Sequence, residues 1–278
     1  MPERIHPSAV IDPRAELGTG VVVGPFTVIG PEVHLGEGTE IGAHVVLEGR
    51  VRIGARCRVG HGSIIGAPPQ DVKYRPGTPA GVSIGDDTVL REYVTVHHAT
   101  TAGADTRIGA HCLILTASHI AHDCTVGDRA LLINNVSLTG HVTVGERAII
   151  GGMTGIVPFV RIGELAYVGG MSGIRQDVPP FVFVDGRPAT AVAVNVIGLR
   201  RAGVGPADRR QVQHAFRFLY RSGLAPGAAL ARVREELPSG HPLVGRLVEF
   251  VERSTLGIVA GSARDASGDA AESPEIAR

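Results

Sequence analysis

The stretch Thr116-Ala117-Ser118-His119-Ile120-Ala121-His122-Asp123-Cys124 carries more reactive side chains than any other in the sequence. Histidine is the side chain best able to take and return a proton near neutrality. His122 beside Asp123 offers such a base, with a carboxylate to fix its tautomer or raise its basicity. His119 and His141 add further imidazoles, and Gly140 offers a bare backbone N–H just before His141. A base that deprotonates a hydroxyl, with an N–H to receive the developing oxyanion, is the equipment of acyl transfer. A blander reading has these imidazoles capping turns and satisfying one another. A metal reading would gather His119, His122 and His141, with Cys124 close by. No carboxylate or cysteine completes a convincing ligand set, so no metal is expected.

What positions these residues is a six-residue clock. Aliphatic side chains fall every sixth position from Ile5, Ile11 and Leu17 through to Ile65, at Ile84, Leu90 and Val96, and again from Ile108 to Ile174. Neither an α-helix nor an extended strand has that period. Six residues per flat face and three faces per turn make a triangular prism of parallel strands, with a coil of about 18 residues. The aliphatic residue points inward, and the Gly that often follows it, as in Ile53-Gly54, lets the chain turn. The composition agrees: 38 Gly, no Trp and only 4% aromatic residues suit a narrow aliphatic prism. One coil beyond His122 is Gly140, so the base and the bare N–H come together.

The clock is interrupted between Ile65 and Ile84, which implies a loop insertion near 66–83 containing Gln70-Asp71-Val72-Lys73-Tyr74. A second, smaller excursion is expected around His97–Gly103. Residues 1–185 therefore form the prism, 186–260 a connector and helical domain, and 261–278 a disordered tail of Ala, Ser, Gly and charges. Helices are expected from Pro206, with Val212, Phe216, Leu219 and Tyr220 on one face, and around 228–237 and 242–254. The chain is neutral, with 27 basic and 27 acidic residues, which argues against a nucleic-acid partner. That neutrality hides ten Arg against five acidic residues between 190 and 260. No apolar run approaches the ~18 residues of a membrane span. Three cysteines with no framework spacing fit buried, inert thiols in a cytoplasmic protein.

The hexad pattern resembles that of the left-handed parallel β-helix acyltransferases. Within them, Gln70–Tyr74, His119–Cys124, Gly140-His141-Val142, Ile150–Thr154, Gln176–Pro180, Asn195–Arg201 and Tyr220–Gly223 look like the UDP-N-acetylglucosamine O-acyltransferase family, over roughly residues 1–257. The resemblance implies a homotrimer with active sites between subunits. It implies transfer of a 3-hydroxyacyl chain from the phosphopantetheine of acyl carrier protein to the 3-hydroxyl of UDP-N-acetylglucosamine, opening lipid A synthesis without a further cofactor. His122 would be the general base, Asp123 its orienting partner and Gly140 the oxyanion donor. His119 and His141 would line the cleft, Asp71 and Lys73 would contact the sugar or its diphosphate, and Asn195 and Arg201 would hold the nucleotide. Gly170 matches the position that measures acyl-chain length, and the basic helical domain would dock the acidic carrier protein.

The sequence departs from the family where a His-Gln pair is replaced by Val157-Pro158, and again at Pro188, Ile197 and Ala202. These changes leave the catalytic centre intact and alter the substrate wall. They admit a 3-amino sugar nucleotide as acceptor, giving an amide. Another hexapeptide acyltransferase using acyl-CoA is the nearest rival, and the Gln70–Tyr74 loop with the Arg-rich domain argues against it. A metal-dependent hydratase and a silent β-helix scaffold are the more distant ones.

Overall fold

The computed structural model describes residues 4–238 and 240–262, and the chain winds as a left-handed parallel β-helix capped by four short helices. Its strands are mostly two residues long and fall into three parallel sheets, which are the faces of the prism. The first sheet runs from Val10–Ile11 to Gly173–Ile174, the second from Glu16–Leu17 to Arg161–Ile162, and the third from Val22–Val23 upward. Val10 pairs with Val28 and Val28 with Val46, which sets the coil at 18 residues. Each strand gives its N–H and C=O groups to the coils above and below, so the backbone needs no other partner.

The inward column is the clock itself. Ile29, Leu47, Ile65, Leu90, Ile114, Ile120, Leu132, Leu138, Ile150, Ile156 and Ile162 are all less than 2% exposed. Each such burial contributes about 2 kcal/mol, which explains why so short a strand repeats so faithfully. Cys57, Cys112 and Cys124 are buried and free, and burial pushes all three thiols up, Cys124 to about 12.

The glycines after the aliphatic residues do not make the turns. The left-handed corner position lies two residues further on and is filled by Arg56 (φ 55°), Asp87 (φ 57°), His111 (φ 57°), Arg129 (φ 57°) and Asn135 (φ 60°). Gly36 and Gly60 are needed for another reason. A Cβ on either would stand 2.5 Å from backbone of the next coil, at Ala55 N and Arg91 C respectively. These glycines are a condition of close stacking between coils.

The two interruptions change the stacking offset as their lengths require. Across the first loop Ile65 pairs with Val96, and across the second excursion Val96 pairs with Ile120. Both leave the prism between a first-sheet strand and a second-sheet strand, Ile64–Ala67 to Gly81–Ile84 and Thr95–His97 to Asp105–Ile108. They therefore protrude from the same edge.

Above the last coil the expected connector is structured. Val182–Gly186 joins the third sheet and pairs antiparallel with Ala189–Val194. Four helices follow: α1 (Val196–Arg201), α2 (Pro206–Arg221), α3 (Pro226–Glu236) and α4 (Pro242–Glu252). The last three carry Pro in their first turn, where the missing N–H costs nothing. Val212, Phe216 and Leu219 are buried as the periodicity requires, and Tyr220 packs beside them half-buried. Gly261 bridges Ala191 and the Ser262 N–H donates to its carbonyl. Residues 263–278 of the expected tail lie outside the described residues.

Candidate active site

His122 sits at the edge between the first and second sheets, just after the strand His119–Ile120. Its inward neighbour Ile120 is fully buried, which pins the strand and leaves the imidazole at the rim, 9% exposed. Asp123 occupies the left-handed corner (φ 59°), a conformation that aspartate tolerates better than most residues. This corner turns its carboxylate back onto the preceding ring, with His122 Nδ1 2.8 Å from Asp123 Oδ2.

The carboxylate is held from the other side by Thr100. Its hydroxyl donates to Oδ2 at 2.7 Å and its backbone N–H reaches Oδ1 and Oδ2 at 3.1 and 3.2 Å. Burial acts to raise the Asp123 pKa, but the hydrogen bonds from Thr100 and from His122 outweigh it and hold the carboxyl below its usual range. An ionised Asp123 can only accept from His122 Nδ1–H, so in the neutral imidazole Nε2 is the nitrogen that carries no proton. His141 lies one coil above, its ring edge-on to His122 at 5.2 Å and its Nε2 3.6 Å from Asp123 Oδ2. Phe159 stacks on the far face of His141 at 4.6 Å.

Gly140 is where the coil arithmetic puts it. A Cβ there would meet the His122 ring, with Nε2 at 2.6 Å, so no other residue fits against this imidazole. The Gly140 N–H donates to no acceptor among the described residues. At three equivalent turn positions elsewhere in the prism that N–H is instead capped from the coil above. Ala43 donates to His61 Nδ1 at 2.7 Å, Ala55 to Asp86 Oδ1 at 2.8 Å and Ala110 to Asp128 Oδ1 at 2.9 Å. The capping position above Gly140 is Pro158, which suits a turn before the left-handed Phe159 but has no side-chain acceptor. The N–H beside the base is thus kept open.

His119 points out from the first sheet, its Nδ1 2.7 Å from Thr95 Oγ1, and its pKa is lowered by burial and by His122. His97 packs edge-on against His119 at 4.8 Å, and burial with the neighbouring histidines pushes it down to about 4. Burial therefore biases His97 and His119 towards their neutral forms. The sequence reading did not assign His97, His98 or Thr100 to the site. The signal that finds them is the offset of the second excursion: with Val96 opposite Ile120, His98 falls opposite His122.

His122, Asp123 and His141 place one ligating atom each within 4.8 Å of one another. The Asp123 oxygen such a set would use already takes the Thr100 hydroxyl and the His122 ring. With that oxygen already engaged, the donor set fits a cation poorly.

The remaining predicted residues lie elsewhere on the chain. Asp71 and Lys73 are on the first loop, at the His122 edge, where Asp71 Oδ1 accepts the Lys73 N–H at 2.9 Å. Gly170 is at the opposite edge of the first sheet, before the left-handed Met171. Asn195 caps α1 by accepting from Gly198 N at 2.9 Å and donates to Leu165 O at 2.8 Å, at the edge between second and third sheets; Arg201 ends the same helix. One chain therefore distributes these residues over three different edges.

Comparison with known proteins completes the description. Residues 177–259 match the model of the second domain of UDP-N-acetylglucosamine O-acyltransferase, and residues 32–67 match the bacterial transferase hexapeptide repeat. The acyl-[acyl-carrier-protein]–UDP-N-acetylglucosamine O-acyltransferase of Thermodesulfovibrio yellowstonii is 42% identical over 255 residues, covering 91% of this chain and 98% of that protein. The enzyme of the same name from Alkalilimnicola ehrlichii is 45% identical over 92% of this chain and 99% of its own. The crystal structure of the Acinetobacter baumannii protein LpxA superposes with a TM-score of 0.88 at 36% identity, covering 92% of this chain and all 100% of that one. A UDP-N-acetylglucosamine acyltransferase from Francisella novicida gives 0.88 at 31%, covering 93% and 95%.

Proposed function

The chain belongs to the UDP-N-acetylglucosamine O-acyltransferase family, and on that premise we propose that His122 is the general base of its acyl transfer. The enzyme moves an acyl group from acyl carrier protein to UDP-N-acetylglucosamine, the first step of lipid A biosynthesis. The observation that carries the proposal is the Asp123–His122 pair set against an open backbone N–H at Gly140.

In this reading His122 Nε2 takes the proton of the sugar 3-hydroxyl as that oxygen attacks the thioester carbonyl of a 3-hydroxyacyl donor. The negative charge passes to the carbonyl oxygen, which the Gly140 N–H receives. Collapse of the tetrahedral species breaks the C–S bond, and the imidazolium returns its proton to the leaving phosphopantetheine sulfur. Asp123 stays ionised throughout and stabilises the imidazolium, as its lowered pKa supports. The chemistry needs no cofactor beyond the carrier's own prosthetic group.

The wider assignments follow from the placement of residues. Asn195 and Arg201 as nucleotide contacts, and Gly170 as the end of the acyl groove, sit on other edges than His122, which supports a homotrimer with sites shared between subunits. Asp71 and Lys73 share the His122 edge and suit the sugar and its diphosphate, with His119 and His141 beside it. The ten Arg and five acidic residues between 190 and 260 suit an acidic carrier protein. Among the described residues no helix is long and apolar enough to cross a membrane, and both substrates are water-soluble, which supports a cytoplasmic site of action. The test is His122→Ala assayed with UDP-N-acetylglucosamine and a ladder of 3-hydroxyacyl carrier proteins. Loss of at least about 10²-fold in turnover, with oligomer and melting temperature unchanged, is expected. A folded variant with normal turnover refutes the assignment, and turnover by the native enzyme only on a 3-amino sugar nucleotide changes the acceptor.

A further inference from the structure

The second excursion, residues 98–104, is one hexad longer than the prism needs, and several of its polar groups are bonded either to the first loop or to the catalytic pair. His98 N donates to Ala67 O at 3.1 Å and Gly103 N to Pro79 O at 2.8 Å, which ties both ends of the first loop. In between, Tyr74 lies edge-on to the His98 ring at 5.4 Å, its hydroxyl 3.3 Å from Nε2. His98 is 7% exposed and its Nδ1–H donates to Ala99 O at 2.7 Å, so Nε2 is the acceptor of the tyrosine proton. Tyr74 is in turn locked to the turn that carries the acceptor contacts: its N–H donates to Asp71 O at 3.0 Å, and Asp71 Oδ1 accepts from Lys73 N. Two residues beyond His98, Thr100 makes the three contacts that fix Asp123.

Lys73 adds an independent indication that this turn has a specific task. It is the only lysine in the sequence; every other cationic side chain that is not histidine is Arg. An ammonium is a compact point charge where a guanidinium is a planar fork.

We propose that residues 98–104 are a bracket that aligns the acceptor-binding turn with the catalytic pair, His98 positioning Asp71 and Lys73 through Tyr74, and Thr100 positioning His122 through Asp123. The bracket's kinetic role rests on the acyl-transfer reading above; its mechanical role does not. Neither residue touches the reacting atoms, and the two act on different steps. His98 governs how the acceptor is held, and Thr100 governs the aim of the base.

Neighbours in one segment should thus show opposite kinetic signatures. His98→Ala is expected to raise KM for UDP-N-acetylglucosamine about tenfold with kcat within about twofold, and Tyr74→Phe to shift the same parameter less. His98→Gln, whose amide oxygen can accept from Tyr74, recovers most of the loss. Thr100→Val is expected to lower kcat about tenfold with the sugar KM held, and Thr100→Ser to restore it. A protease specific for lysine has one bond to cut in this chain, Lys73-Tyr74. Nicking of the full-length native protein is expected to be at least about threefold faster in His98→Ala and Tyr74→Phe than in the parent, with Thr100→Val unchanged. This readout stands even if the native enzyme turns over neither substrate, which would sink the acyl-transfer reading alone. Equal nicking in all variants, or both residues moving the same kinetic constant, overturns the bracket.

Discussion

If the open Gly140 N–H is the oxyanion donor, closing it from the coil above must silence the enzyme without touching the base. Pro158→Asp does this with a device the fold already uses. At the equivalent positions Asp86 and Asp128 reach back to cap the N–H of Ala55 and Ala110 at 2.8 and 2.9 Å. A carboxylate introduced at 158 meets the same geometry, because the stacking of Leu138 on Ile156 continues the regular ladder. A capped donor cannot serve the oxyanion, and removing one such donor costs about 10²–10³ in kcat, or roughly 3–4 kcal/mol. The added negative charge, about 4 Å from the developing one, opposes it further, by about 4 kcal/mol at an effective dielectric of roughly 20. The expected loss is therefore at least about 10²-fold in kcat, measured at saturating UDP-N-acetylglucosamine and acyl carrier protein. Pro158→Ala restores a backbone N–H at 158 without an acceptor and should keep kcat within about threefold. Slowed hydrogen exchange at the Gly140 amide confirms that the cap forms. Near-normal kcat in Pro158→Asp with that amide protected would refute the assignment of Gly140, leaving His122 to act with some other oxyanion donor.

Three further outcomes follow from the geometry. Asp177 is fully buried, with Oδ1 on Arg161 N and Oδ2 facing only the Arg161 guanidinium at 3.7 Å, so Arg161→Met strands a charge. It should lower stability by about 3 kcal/mol in urea unfolding, the lower end for a broken buried pair because the guanidinium is partly exposed. His97 is depressed from 6.5 to about 4, so its contribution is present above about pH 6.5 and is lost as pH falls towards about 4. His97→Leu should flatten that acid loss by up to about 3 kcal/mol relative to the parent, read from unfolding curves across that range. A Cβ at Gly170 would stand an ordinary 3.4 Å from Gly152 O, so Gly170→Met should leave the melting temperature alone. It should move the preferred donor to a shorter chain, measured by competition between carrier-bound acyl groups.

What was legible in the sequence is what periodic burial writes there. One inward aliphatic residue in six gives the prism and the coil of 18, and adding one coil to His122 finds Gly140 with no structure at hand. Helix α2 is legible for the same reason, its buried Val212, Phe216 and Leu219 repeating at helical spacing. The hairpin Val182–Val194 was hidden because it breaks the hexad after Pro179-Pro180 and pairs antiparallel, leaving no column to read. The turning role given to Gly54 and its like failed because a glycine demanded by tight stacking looks in a sequence like one demanded by a turn, while the left-handed corners themselves are filled by residues such as Arg56 and His111 that carry no such signal. His98 and Thr100 were missed for a deeper reason. Insertions change the stacking offset, so residues 23 or 24 apart become neighbours where 18 is expected, as Thr100 with Asp123 and Tyr74 with His98. Those segments are held by single hydrogen bonds of about 1 kcal/mol each, which select a donor at one place and impose no period. Parallel coils also dictate where such insertions go. An edge can be lengthened without opening the aliphatic column, since the strands on either side still pair across it, as Ile65 with Val96 and Ile84 with Ile108 do. Both insertions use the edge of His122, so the chemistry of this chain collects where its repeat is broken and the repeat supplies the frame that aims it.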